Sequence, residues 1–185
     1  MSPTDAERLM AWLRAADASD ALLAVVRGQV HDEGELAWED RELWVTGRLV
    51  LATDAAVESR ALDAVRALSR TLGFSMDDWD ALVRARLGIT PVRLRAYATL
   101  CLPLHATAAE VREVHRAVVK QLHPDRHPEA QREEATRRLG RVNRARDVLL
   151  SPRDEVDLFG EDDLWLDEPL PEEGTTDLGD LLELE

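Results

Sequence analysis

The sequence predicts an all-α protein, and three observations carry that expectation. Apolar residues recur at spacings of three and four along most of the chain, as one-sided helices require. Helix-opening pairs, a Ser or Thr followed three residues later by an acid, stand at Thr4, Ser75 and Thr107. No segment alternates β-branched and polar residues as a half-buried strand would.

Taken in order, Thr4-x-x-Glu7 reads as a capping box, and Leu9, Trp12, Leu13 and Ala16 follow it on one face. A second helix is expected from Asp20 through Val30, broken over His31 to Gly34. Residues 35–52 carry Leu36, Leu43, Trp44, Val45, Leu49, Val50 and Leu51, apolar on most sides, which places that helix at a domain centre. Residues 55–72 bear the stripe Leu62, Val65, Leu68 and Leu72, and Gly73 stops them. Ser75-x-x-Asp78 opens a helix that ends at Gly88. Thr90-Pro91 is a cap followed by proline at the first helical position, and that helix should reach about Leu102, before Pro103. Thr107-x-x-Glu110 opens a helix to Leu122, and an arginine-rich helix runs from Glu129 to Leu150, closed by Ser151-Pro152. The expected organisation is a helical domain over 1–89, a second over 90–152 and an acidic tail over 153–185.

The charge divides sharply along the chain. The 185 residues hold 23 Lys plus Arg against 37 Asp plus Glu, a net −14. Residues 1–95 contain 12 basic and 16 acidic side chains, residues 96–152 contain 10 and 7, and residues 153–185 contain 1 and 14. That last stretch, punctuated by Pro169, Pro171 and Gly174, offers little apolar area to offset ordering entropy and is expected to be largely disordered. Leu158-Phe159 and Leu164-Trp165-Leu166 are its apolar islands. It reads either as a solubilising extension or as a cover for a basic surface of the same chain.

Several function classes are excluded or disfavoured. No apolar run approaches the roughly 18–20 residues that span a bilayer, so no membrane association is expected. The start, MSPTDAERLM, lacks the basic and apolar regions of a signal peptide. A lone Cys101 excludes an internal disulfide framework and suits a reducing compartment, so the expected location is cytoplasmic. Cys101 itself is expected to be a small core residue within a helix. Nucleic-acid binding is disfavoured by the net charge, although Arg132, Arg137, Arg138, Arg141, Arg144 and Arg146 keep an arginine-face reading open. His115, His123 and His127 invite a metal reading, but Pro124 and Pro128 break the helix spacing between the last two, and no third ligand is apparent. No metal or cofactor is expected. Trp12, Trp38, Trp44 and Trp79 are expected in the core or in a partner-binding groove of the first domain, and Asp54 as a helix N-cap.

The informative segment is 108–122. On a helical wheel Val111, Val114, His115, Val118 and Leu122 fall in one sector, which should be buried. Arg112, Arg116 and Lys120 recur every four residues on another side as a positive stripe. The stripe runs directly into His123-Pro124-Asp125, after which the long helix returns with Leu139, Val142, Leu149 and Leu150 as core candidates. The pattern is an antiparallel helical hairpin with a basic outer face and a polar tip.

Residues 96–152 resemble the J domain of DnaJ-type co-chaperones. His123-Pro124-Asp125 matches that family's signature triplet. Tyr97 to Leu102 is similar to its first helix, Ala106 to Leu122 to its second, and Val142 to Ala145 with Val148-Leu149 to the end of its third. The resemblance implies a non-enzymatic chain that docks on a DnaK-type (heat-shock 70) chaperone and stimulates the partner's ATP hydrolysis. It assigns Asp125 to a charge-assisted contact with the partner, His123 and Pro124 to shaping the loop, and Arg112, Arg116 and Lys120 to docking charge. The family usually has tyrosine at the position of His115, a basic pair at Arg116-Ala117, and aromatic residues at Leu139 and Arg146. These departures thin the aromatic core and weaken part of the interface.

Leu51 to Val57, the following amphipathic helix and Leu72-Gly73-Phe74-Ser75 are similar to TerB-like helical domains. Ala55 stands where that pattern has glycine, and Arg60 near the expected acid. A TerB-like domain ahead of a J domain is the order of DjlA-type proteins, here without their membrane anchor. The expected function is therefore that of a co-chaperone whose N-terminal domain recruits a client. Two alternatives stand beside it: an adaptor that binds the chaperone without stimulating it, and a nucleic-acid-associated protein using the arginine face.

Overall fold

The computed structural model describes residues 3–28 and 36–152. Among them are eight α-helices and no strand, apart from an isolated bridge between Ala56 and Pro103. The break expected at His31–Gly34 and the acidic stretch 153–185, with its apolar islands, lie outside the described residues. No helix among the described residues is long and apolar enough to cross a membrane. The chain forms two compact units, one of residues up to Asp54 with Arg60–Gly88, the other of Ala55–Ser59 with residues from Ile89 onward.

The first unit begins with α1 (Pro3–Ala15). Because this helix starts at Pro3, Thr4 lies inside its first turn and does not cap it; proline's fixed φ and missing N–H suit that turn. Leu9, Met10 and Leu13 are buried, and α1 packs on α3 (Trp38–Thr53). The approach is close at Gly47, where an added Cβ would sit 2.6 Å from Leu9 Cδ1 and 3.1 Å from Trp12 Cε3. Between them, α2 (Asp20–Val26) is shorter than the sequence suggested, because Gly28 turns left-handed at φ +70°. Ser19 caps α2 by accepting from Leu22 N–H at 3.2 Å. The same hydroxyl donates to Asp40 Oδ2 at 2.6 Å and its backbone N–H to Oδ1 at 3.2 Å, which satisfies a buried acid of α3.

Helix α3 lies centrally as expected, with Trp44, Val45 and Leu49 buried. Asp54 proves to be its C-cap, ion-paired with Arg8, and not an N-cap. The next helix, α4 (Ser59–Thr71), starts four residues later than the periodicity implied, since residues 55–58 leave the helical path. Leu62 and Val65 are buried, and Gly73 at φ +88° ends the stripe. Arg41 donates to Leu36 O at 2.8 Å and to Leu72 O at 3.2 Å, tying α3 to the end of α4. Ser75 and Asp78 form the expected capping box of α5 (Met76–Leu87), and Gly88 closes it at φ +65°. The tryptophans divide: Trp44 and Trp79 are core, Trp12 is half-buried, and Trp38 is 45% exposed, stacked on Phe74 at 4.6 Å.

The second unit contains α6 (Pro91–Thr99), α7 (Ala108–Leu122) and α8 (Glu129–Leu150). Thr90 caps α6 as expected, but the helix ends three residues early. Cys101 takes a left-handed φ of +49° so that the chain can turn, which makes it a half-buried turn residue and not a helical core residue. Leu94, Ala96, Tyr97 and Ala98 are buried in this unit, and α6 packs on α8. Residues 55–59 complete the unit as a strap. Val57 is fully buried and donates its N–H to Leu102 O at 3.0 Å, while Ser59 Oγ donates to Ala98 O at 3.0 Å. Nothing in the local pattern of residues 55–59 foretold this, because a single buried valine carries no period.

Candidate functional site

The site is built on α7. Thr107 Oγ1 accepts from Glu110 N–H at 3.3 Å, and Glu110 Oε2 accepts from Thr107 N–H at 2.6 Å, a complete capping box. The Thr107 backbone N–H, then its hydroxyl, hold the Glu110 carboxyl below its ordinary range. Of the predicted buried face, Val111, His115, Val118 and Leu122 are buried and Val114 is half-buried. His115 Nε2 lies 2.8 Å from Asn143 Oδ1 on α8, so the ring N–H donates to the amide oxygen across the hairpin. On α8, Ala135, Val142, Ala145, Val148 and Leu149 are buried, whereas the predicted Leu139 and Leu150 are only partly so.

Burying that face turns the cations outward. Arg112, Arg116 and Lys120 are all exposed, and Arg116 Nε donates to Arg112 O at 3.2 Å. Among the described residues none of the three is paired with a carboxylate. Helix α8 is different. Its Glu134 accepts ion pairs from Arg137 at 3.2 Å, Arg138 at 2.9 Å and Arg141 at 3.7 Å. Arg146 is paired with its neighbour Asp147. The arginine face of α8 is therefore partly neutralised by its own acids, whereas the stripe on α7 is not, among the described residues.

The tip joining the two helices is ordered by hydrogen bonds. His123 Nδ1 accepts from Asp125 N–H at 3.3 Å, opening a single 3-10 turn over Pro124–Arg126. Arg126 N–H donates to His123 O at 2.9 Å and His127 N–H to Pro124 O at 3.1 Å. Two side chains from beyond the triplet then reach back to the end of α7. Arg126 Nη1 donates to Lys120 O at 3.0 Å, and His127 Nε2 to Gln121 O at 3.2 Å. Cations and donors here satisfy carbonyls that the helix end leaves open. The Asp125 carboxylate is left 87% exposed, 3.6 Å from His123 Nδ1. The stripe thus runs along α7 from Arg112 to Lys120 and ends beside the ordered triplet.

Arg126, His127 and Asn143 were not singled out as site-forming from the sequence. A basic residue just past a helix end was the available signal for Arg126; the partnership of Asn143 is visible only in three dimensions. Among the described residues, no three His, Cys, Asp or Glu side chains gather as a metal site would need.

A family model described as the DnaJ domain matches residues 95–156. The chaperone protein DnaJ of Thermotoga neapolitana is 41% identical over 66 residues, which are 35% of this chain and 18% of that protein. Chaperone protein DnaJ of Thermotoga petrophila and of Thermotoga maritima are each 39% identical over the same lengths. The match thus spans about a fifth of these relatives. No solved structure matches the chain at a significant level. Residues 95–156 of this chain are a DnaJ domain, as the triplet and the two flanking helices indicated.

Proposed function

We propose that the chain is a DnaJ-like co-chaperone that docks on a DnaK-type (heat-shock 70) chaperone in the cytoplasm and stimulates its ATP hydrolysis. The observation that carries this reading is the continuity of an exposed cation stripe, without a carboxylate partner among the described residues, with an exposed, hydrogen-bonded tip. Arg112, Arg116 and Lys120 offer long-range attraction and orientation toward an acidic surface. The 3-10 turn, with its caps from Arg126 and His127, presents His123 and Asp125 with little ordering left to lose on docking. In this reading the exposed Asp125 carboxylate accepts a charge-assisted hydrogen bond from a basic group of the partner. The chain performs no chemistry in this reading, because the hydrolysed nucleotide belongs to the chaperone.

The first unit is the place for client recruitment. Its resemblance to TerB-like domains supports an accessory role, and the exposed Trp38 on Phe74 is an apolar feature that a protein client could cover. Against the nucleic-acid alternative stands the pairing of three α8 arginines with Glu134, which leaves that face with less free charge than the count suggested.

The test is steady-state ATP hydrolysis by a DnaK-type chaperone with wild-type chain and with Asp125→Asn. Stimulation by the wild type that the substitution abolishes is the expected result. Binding without stimulation by the wild type would replace the reading with the adaptor, and absence of both binding and stimulation would end it.

A further inference from the structure

We propose that the acidic segment 153–185 is an intramolecular ligand of the α7 cation stripe and competes for it with whatever acidic surface docks there. The contact stands on this chain alone; the competition rests on the chaperone-docking reading above.

Charge complementarity is the first support. Arg112, Arg116 and Lys120 are exposed and unpaired among the described residues, although Arg137, Arg138, Arg141 and Arg146 of α8 have acid partners. The segment from 153 onward holds 14 acidic side chains and 1 basic one, whereas residues 1–152 hold 23 and 22. Complementary charge for the stripe is therefore concentrated in one part of the chain.

The origin of the segment is the second support. Arg93 of α6 donates through Nη2 to Leu149 O at 2.9 Å and through Nη1 to Ser151 O at 3.4 Å, which pins the end of α8. The antiparallel pairing of His115 with Asn143 places residues near 151 level with the start of α7. At 1.5 Å per residue, Lys120 lies roughly 20 Å from that level along the axis. Ten residues of chain can extend about 35 Å, so the cluster Glu161-Asp162-Asp163 can reach every cation of the stripe. Each exposed ion pair is weak and screened by salt. Tethering nevertheless sets an effective concentration of roughly millimolar, enough for a contact of millimolar intrinsic affinity to be about half formed.

Lys120 is the only lysine of the chain, and this makes the contact directly readable. Zero-length carbodiimide coupling of the full chain at low micromolar concentration and low salt, followed by peptide mapping of the monomer, reports which carboxylates touch its Nζ. Amides from Lys120 to acids of residues 154–185 are expected. They should fall several-fold at 0.5 M salt and in the full chain carrying Glu161→Gln, Asp162→Asn and Asp163→Asn. Coupling only to acids of the folded body, such as Glu113, or no coupling, would overturn the contact. The same triple substitution should lower several-fold the concentration needed for half-maximal chaperone stimulation at low salt. An unchanged value beside positive cross-links would overturn the competition. Cross-links in a chain that never binds a chaperone would uphold the contact, remove the competition and count against the docking reading itself.

Discussion

His115 on α7 and Asn143 on α8 meet at 2.8 Å inside the helical hairpin, one of the few polar contacts in an otherwise apolar seam. The pair ties the two helices together beside the apolar side chains that pack between them. Asn143→Leu should leave the His115 N–H without an acceptor in a buried site, at a cost of about 1–3 kcal/mol. Chemical denaturation checks this. The double substitution His115→Phe with Asn143→Leu should recover much of the loss, since no unpaired polar group remains; a double variant as unstable as the sum of its parts would argue against the pairing.

The strap formed by residues 55–59 should be a structural part of the second unit. Val57→Ala removes buried methyl groups and should cost about 2 kcal/mol. Hydrogen exchange locates the effect: faster exchange is expected in α6 and at the Val57 amide, which donates to Leu102 O. Loss of protection confined to α1–α5 would be the contrary outcome.

Acid should loosen the start of α7. Glu110 is held below its ordinary value of 4.5 by the Thr107 backbone N–H and hydroxyl. A carboxyl with a depressed folded value contributes stability fully above 4.5, and this is lost as pH falls through the lowered value. An NMR titration of Glu110 should therefore give a midpoint below 4.5 that moves up in Thr107→Val. The same midpoint in both proteins would mean the hydroxyl contributes nothing to holding the acid.

Gly47 marks the closest approach of α1 and α3. Gly47→Ala gains up to about 1 kcal/mol of helix propensity but drives a methyl group into the fully buried Leu9. Overpacking typically costs about 1–3 kcal/mol, so a net fall in thermal stability is expected. A rise would show that Leu9 and Trp12 can move aside.

Arg126→Ala should separate tip order from global stability. It frees Lys120 O at an exposed position, so the unfolding midpoint should move little, while exchange at the 123–127 amides should rise several-fold. Unchanged exchange there would assign the order of the tip to Pro124 and His127 alone.

Much of this was legible from local pattern. The capping boxes at Ser75 and Thr107, the Thr90-Pro91 start and the glycine stops at 73 and 88 are short-range devices, and each is found where the spacing put it. Where local signals competed, tertiary demands overrode the local pattern. Thr4 looked like a cap but Pro3 opens the helix, and residues 55–58 looked helical but were needed as a strap. Cys101 lay within an apolar run yet had to turn the chain.

The sequence by itself determined the all-α class, the hairpin and the His123-Pro124-Asp125 tip, because periodicity, caps and a contiguous triplet are properties of neighbouring residues. Only the tertiary structure decided that Asn143 partners His115, that Val57 completes the second unit, and that Arg126 and His127 cap the end of α7. It also decided which cations are paired among the described residues: Glu134 lies within reach of Arg137, Arg138 and Arg141 on its own helix but of none on α7. These are consequences of distances between residues remote in the chain, which close packing settles and linear pattern does not encode.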